Sequence, residues 1–446
     1  MRNRLTTYVH PNGELQRYQI VEAFNWNHAR FVTAGFDPRS VTEIARLYRI
    51  NIVPKLQQSI GLPVFFHVPP DIPLPFPVAD EHEVYHDRNV AASIHLNRLA
   101  REHHIRWEGS LKADAKEIEA FLSALQNRNL LEAVVQGTNP IRFIALNEKL
   151  GFLSSHKSTC IVDTHFFLMD PTDLDSPYCV LGTPHGLALK DGMILNPPLN
   201  HRPCLLVDEH GTVSIDVVEL TDLSVEIDGT KYRHGDNAVF HFRPEERFTP
   251  KTEGTDLIIT EDKVVSVRKG GGSTIPMAGF ILSVPASLDV ADPKVVYHGL
   301  EHYAFGIQVG PPMMKDGRII TTLECPFYNA AVDEVPYPST VYPLPFETAR
   351  AARIALGNNK EGEPVLIWAE GAPKLSYTPA QDSCGASLLE LAQFCEREQF
   401  QSIVNLDGGG SAQIILEGKR SLQIADRYAS TNLEAERPVP YGLSIV

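Results

Sequence analysis

The chain has 446 residues, 43% hydrophobic and 21% charged, ordinary values for a globular protein that exclude a disordered or fibrous class. At this length two cores are the default. Acidic residues number 55 against 40 basic, a formal net charge of −15, so phosphate backbones and anionic membranes are repelled and no nucleic-acid partner is expected.

Residues 1–150 read as a mainly helical accessory domain of unknown role. The N-terminal segment is basic but has no apolar run behind it, so a cytoplasmic location is expected. A hairpin is expected around "VHPNGELQRYQIVEAF", where Pro-Asn-Gly supplies the turn. Apolar residues recur at helical spacing in "RSVTEIARLYRI". The prolines of "PPDIPLPFPVADE" then impose a loop, because each removes a donor and fixes its own backbone angle. Helices are predicted again in "NVAASIHLNRLAREHHI" and "ADAKEIEAFLSALQNRNLLEAVVQ".

From about Cys160 the pattern becomes short apolar runs of period two between Asp-Gly, Gly-Thr and Pro-rich turns, as in "STCIVDTHFFLM", "CLLVDEHGTVSIDVV", "LSVEIDGTKY" and "TDLIITEDKVVSVRKGGG". The fold class expected is therefore α+β, with a mainly helical N-terminal domain followed over 151–446 by a β-rich mixed α/β domain. No stretch approaches the roughly 20 apolar residues of a membrane span. The cysteines form no CxxC and read as buried free thiols. A late helix, "SLLELAQFCEREQ", places Leu388, Leu391, Ala392 and Cys395 on one face and leads into "SIVNLDGGGSAQIILEG".

That last stretch breaks a β pattern with Asp407, Gly408, Gly409, Gly410 and Ser411. Consecutive glycines in a strand cost conformational entropy and offer nothing to pack. One reading is a nest of backbone N–H groups converging on an anion beside the Asp407 carboxylate and the Ser411 hydroxyl. The other is a wide hairpin turn. A Walker loop is excluded, because no Gly-Lys-Ser/Thr is present and a strand follows.

Asn-Leu-Asp-Gly-Gly-Gly-Ser at 405–411 resembles the most specific motif of the phosphodiester glycosidase family. Other segments resemble that family in the same order: "CIVDTHFF", "GTPHGLALKDGMI", "IPMAGFILSV", "FGIQVGPPMMKDGRI", "AARIALGNNKEGEPVLIWAEG", "CGASLLELAQF" and "ERPVPYGLSIV". The resemblance covers about residues 150–446. It implies a hydrolase cleaving the glycosidic bond to phosphate in a sugar-1-phosphodiester, N-acetylglucosamine-1-phosphodiester-like, with a small-molecule or oligosaccharide sugar phosphate as partner. This chain has Asp163 where the family usually has Asn, His165 for a usual Gly, Ile354 for Thr after Arg353, and Glu370 where Asp is frequent.

Such a cleavage passes through an oxocarbenium-like state and expels phosphate. It needs a fixed cation, for which Arg353 is the candidate, and a carboxylate to activate water or attack the anomeric carbon, Asp407 first and Glu370 second. Asn405, Asp163, His165, the N–H groups of Gly408, Gly409 and Gly410, and Ser411 are the expected substrate-binding set. Bland alternatives are a surface Arg353, a turn at Glu370, and His165, Phe166 and Phe167 in the core. No cofactor or metal ligand is assigned, and the need for a divalent cation stays open. An intracellular substrate such as an exopolysaccharide precursor is expected, and a non-catalytic sugar-phosphate binding module is the alternative. "HEVYH" offers a third reading, a zinc peptidase through His82, Glu83 and His86, although the motif falls at a helix start.

Overall fold

Strand pairing, not helical periodicity, dominates the fold in the computed structural model, which describes residues 2–6, 21–26, 29–47, 65–67, 74, 77–107, 115–130, 142–144, 150–158, 160–169, 174, 176–179, 181–199, 202–243, 246–320, 350–371, 383–420, 422, 425–426 and 434–445. Two antiparallel sheets position the candidate site. In the eight-stranded sheet, Ala29–Gly35, Pro364–Ala369, Arg353–Asn358, Ser402–Asn405 and Pro312–Lys315 lie in that spatial order. In the five-stranded sheet the order is Lys419–Arg420, Ile414–Leu416, Cys160–Asp163, Tyr441–Ile445 and Val41–Arg46.

The two sheets face each other across a common core. Ile354, Leu356, Trp368 and Val404 from the first meet Val162, Ile414 and Leu443 from the second. Each is almost wholly buried, and such burial stabilises by about 1.5–3 kcal/mol per large side chain. On the outer face of the eight-stranded sheet packs the helix Leu388–Arg397, with Leu388, Leu391, Ala392 and Cys395 inward as their spacing predicts. A capping box starts it: Ser387 Oγ accepts the Glu390 N–H at 3.1 Å, and the Glu390 carboxylate accepts the Ser387 N–H at 3.0 Å.

The expected mainly helical N-terminal region is not what forms. Helices do form at Arg88–Glu102 and Ala115–Asn127, but the other described elements before residue 150 are strands and one 3-10 turn. "RSVTEIARLYRI" contributes the strand Val41–Arg46, which pairs with Tyr441–Ile445 through Ile44↔Leu443. Ala29–Gly35 pairs with Pro364–Ala369 through Val32↔Trp368. These segments take their strand partners from residues some 300 to 400 positions away, and that pairing overrides a helical spacing carried by β-branched residues. The strands Arg2–Thr6 and Val21–Trp26 pair antiparallel, while the turn expected between them lies outside the described residues.

"HEVYH" is not a helix start either. Glu83–Tyr85 is a strand paired with Lys263–Gly271, and extended backbone separates residues four apart by roughly 13 Å. His82 is exposed, whereas Glu83 is buried and accepts hydrogen bonds from Tyr178 Oη at 2.7 Å, Ser266 Oγ at 2.5 Å and Arg268 Nη1 at 3.1 Å. The histidines cannot close on one zinc ion, and the glutamate is engaged by its neighbours. Cys160, Cys179, Cys204 and Cys395 are buried free thiols and Cys384 is half-buried.

Candidate active site

The glycine loop carries the chain from one sheet to the other. Ser402–Asn405 belongs to the eight-stranded sheet and Ile414–Leu416 to the five-stranded one, so the segment between them is no hairpin turn. The handover takes two residues: the Leu406 N–H donates to Ile354 O at 2.8 Å, and the Asp407 N–H donates to Thr164 O at 3.1 Å. Asp407 is thereby set beside the end of Cys160–Asp163, with Gly409–Ser411 closing a 3-10 turn behind it.

Each glycine has its own reason. A Cβ on Gly408 would sit 2.8 Å from Ala352 O, and Gly409 has φ +59°. A Cβ on Gly410 would collide with the Asp426 carboxylate and the Arg437 guanidinium, which pack directly over it. The nest expected from the sequence is largely closed within the protein. The Gly408 N–H donates to Asp407 Oδ1 at 2.7 Å, and the Gly409 N–H donates to Ala352 O at 2.8 Å. Close approach of backbone to backbone and to an ion pair accounts for the glycines better than a ring of free donors.

Asp407 is 8% exposed. Burial pushes its carboxyl up to about 6, against the opposing pull of the Gly408 N–H, Arg437, the Ser411 hydroxyl and Arg353. Asp163 lies fully buried behind it, and neither of its carboxylate oxygens has a hydrogen-bond partner of normal geometry among the described residues. Burial first and the Asp407 carboxylate second hold Asp163 well above the usual carboxylate range. Two buried carboxyls that sense each other retain a proton between them, and the pair titrates as a unit. Asp163 is the member that keeps the proton.

The cation facing this pair is Arg437. Its Nε and Nη2 donate to Asp426 Oδ2 at 3.0 and 2.6 Å, and its Nη1 donates to Ser411 Oγ at 3.2 Å. The Arg437 side chain is 20% exposed. Arg353, the cation chosen from the sequence, is buried at the start of Arg353–Asn358 with Nε on Ala386 O at 3.1 Å. It is therefore neither a surface arginine nor the open one. Glu370 is held by Arg30, whose Nη1 lies 3.0 Å from both carboxylate oxygens.

The remaining predicted residues are enclosed. His165 is fully buried, with Nδ1 2.7 Å from Thr164 Oγ1 and Nε2 2.9 Å from Leu187 O, and burial lowers it to about 4. It is a hydrogen-bonded core histidine, and Phe166 and Phe167 beside it are buried too. Asn405 is buried and donates to Gly310 O at 3.2 Å. Asp407, Asp163, Arg353, Gly408, Gly409, Gly410 and Ser411 thus converge, while His165 and Asn405 support from within the core. Arg437, Asp426 and Arg30 were missed by sequence reasoning. Arg437 stands in "ERPVPYGLSIV", inside the resemblance but without a spacing that marks it, and Arg30 lies where no resemblance was found.

Residues 228–446 match the family model described as phosphodiester glycosidase, so the resemblance carried by Asn405 to Ser411 holds over that span. Over 73 residues, 16% of this chain and 13% of the other, the sequence is 34% identical to the N-acetylglucosamine-1-phosphodiester alpha-N-acetylglucosaminidase of Mus musculus. That aligned stretch spans about an eighth of the relative's length. Among solved structures, a hypothetical protein from Synechocystis aligns over 91% of this chain and 59% of its own at 13% identity, with a TM-score of 0.38. The catalytic domain of zebrafish N-acetylglucosamine-1-phosphodiester alpha-N-acetylglucosaminidase, auto-inhibited by its pro-peptide, aligns over 58% of this chain and 87% of its own at 17% identity, with a TM-score of 0.24.

Proposed function

We propose that the protein is a hydrolase that cleaves the glycosidic bond between a sugar and phosphate in a sugar-1-phosphodiester. One observation carries the reading: a buried carboxyl pair, Asp163 and Asp407, set at the glycine loop beside Arg437 and Ser411. The family match over residues 228–446 supports the same class of reaction.

In this mechanism Asp407 is the catalytic carboxylate. Ionised above about pH 6, it either takes a proton from water or attacks the anomeric carbon as the bond to phosphate breaks. The phosphate leaves as a stabilised anion, so a charge partner matters more than a strong acid. Arg437 takes the role first given to Arg353, because its guanidinium is partly open, is oriented by Asp426 and is connected through Ser411 to Asp407. Asp163 has no exposed surface and acts as a positioning residue that holds its proton and leaves Asp407 the only charge of the pair. Arg353 braces the loop from beneath.

The test is release of free sugar from a panel of sugar-1-phosphodiesters that includes UDP-N-acetylglucosamine. Wild type should turn over at least one member, and Asp407→Asn should lose about 100-fold or more in kcat/KM. A sugar-phosphate binding module is the second reading, favoured by Asp163, which stands where the family usually has Asn and has no exposed surface. It would be supported by affinity for a panel member with no sugar released.

A further inference from the structure

A cavity of about 720 Å3 opens between the helix Arg88–Glu102 and the strand Glu83–Tyr85. Its lining includes none of the residues placed at the Asp407 site. The volume falls in the range of small-molecule sites, about 300–1,000 Å3.

Charge distinguishes this cavity from the rest of the molecule. In a chain of net charge −15, its wall contains the guanidinium groups of Arg98, Arg101, Arg247 and Arg268 against the carboxylates of Asp80 and Glu83. Those two carboxylates are engaged locally. Asp80 Oδ1 accepts the N–H groups of His82 and Glu83 at 2.8 and 2.7 Å, while Glu83 accepts from Tyr178, Ser266 and Arg268. Arg98 Nη2 lies 3.1 Å from His95 Nδ1, and its Nε lies 4.0 Å from the Glu102 carboxylate. Burial first, and Arg98 second, lower His95 to about 4, so at neutral pH an uncharged imidazole faces this guanidinium. The wall is therefore net positive.

Aromatic groups complete it. Trp107 is fixed by stacking on Phe121, with ring centroids 4.0 Å apart, and by its Nε1–H, which donates to Asn97 Oδ1 at 2.8 Å. Phe248 is 55% exposed, an uncommon state for a phenyl ring, with the Arg247 guanidinium 5.7 Å from its centroid. Rigid rings next to guanidinium groups suit a ligand that has both a flat or pyranose ring and an anionic group. We propose that this cavity is a second binding site, taking a small phosphorylated ligand that bears a sugar or nucleoside ring. Arg98 and Arg101, three residues apart on one helix face, meet the phosphate, and Trp107 and Phe248 meet the ring.

Binding to the Asp407→Asn protein tests this without requiring turnover, and substitution of Arg98 and Arg101 separates binding here from binding at the Asp407 site, on which the hydrolase reading rests. UDP-N-acetylglucosamine, N-acetylglucosamine 1-phosphate, UMP and neutral N-acetylglucosamine are titrated by calorimetry at low and high salt. The first three separate which ring is read. At least one phosphorylated probe should bind with salt-sensitive affinity, and the Arg98→Gln, Arg101→Gln double substitution should weaken it ten-fold or more. Unchanged affinity in the double variant, equal binding of the neutral sugar, or no binding of any probe at millimolar concentration overturns the proposal. If the double variant does not fold, tryptophan fluorescence decides. Quenching by the bound probe should vanish in Trp107→Phe, and quenching that persists there refutes the site.

Discussion

Replacing Asp407 by Asn should make the protein more stable at alkaline pH while inactivating it. Burial pushes the folded carboxyl up to about 6, against an ordinary value of 3.8. A raised acid pKa means the folded state holds the proton more tightly than the unfolded one. Below about pH 4 both states are protonated and nothing is lost. Between about 4 and 6 the unfolded state ionises first, and above 6 the folded state bears a penalty of about 3 kcal/mol, from roughly two pKa units at 1.36 kcal/mol each. With an unfolding entropy of about 2.1 cal/mol/K per residue, a chain of this length gives about 0.9 kcal/mol/K, so the penalty corresponds to about 3 °C in Tm. Calorimetric Tm values for wild type and Asp407→Asn from pH 3.5 to 8.5 should therefore coincide at the acid end and diverge to about 3 °C in favour of the variant above pH 6. A difference that does not change with pH, or a variant less stable at pH 8 than at pH 4 relative to wild type, would refute the assignment of a strained, ionised Asp407.

Other outcomes follow from the same geometry. Gly410→Ala should displace the Asp426–Arg437 pair, costing about 1–3 kcal/mol in denaturant unfolding and most of the activity. Arg437→Gln should reduce kcat/KM by about 100-fold or more, whereas Arg437→Lys, which keeps charge but not the forked geometry, should recover only part of it in the same assay. His165 and His185 are held neutral by burial, at about 4 and about 3. Their contribution is complete above pH 6.5 and is lost as pH falls, at about 1.4 kcal/mol per pH unit for each, so His165→Gln and His185→Gln should each lower by about one the protons taken up on unfolding near pH 5. Glu83→Gln should cost about 1–3 kcal/mol, because Arg268, Ser266 and Tyr178 all converge on that carboxylate, and zinc content should stay unchanged by plasma emission analysis.

Much of the β-rich portion was legible locally. Period-two runs between Asp-Gly turns specify strands such as Ser224–Ile227 and Thr230–Arg233, whose partner is the next segment of chain. The helix Leu388–Arg397 was equally plain, since its cap and its apolar face both lie within a dozen residues. Asp407 could be singled out because three glycines after a strand are costly enough to demand a cause. What those glycines do was not legible: two of their N–H groups are taken up by Asp407 and Ala352, and the third glycine makes room for an ion pair.

By itself, then, the amino-acid order determined the short-range elements, the acidic balance and the motif that marks the site. Tertiary structure decided the rest, because the relevant partners are far apart in the chain. Val41–Arg46 became a strand only because Tyr441–Ile445 was there to pair with it. Glu83 became a buried hydrogen-bond hub rather than a zincin base because Lys263–Gly271 drew it into a sheet. Asp163 and Asp407 became a coupled pair only when the glycine loop brought the ends of two strands from different sheets together, and burial at that junction, a property no local spacing contains, raised both carboxyls.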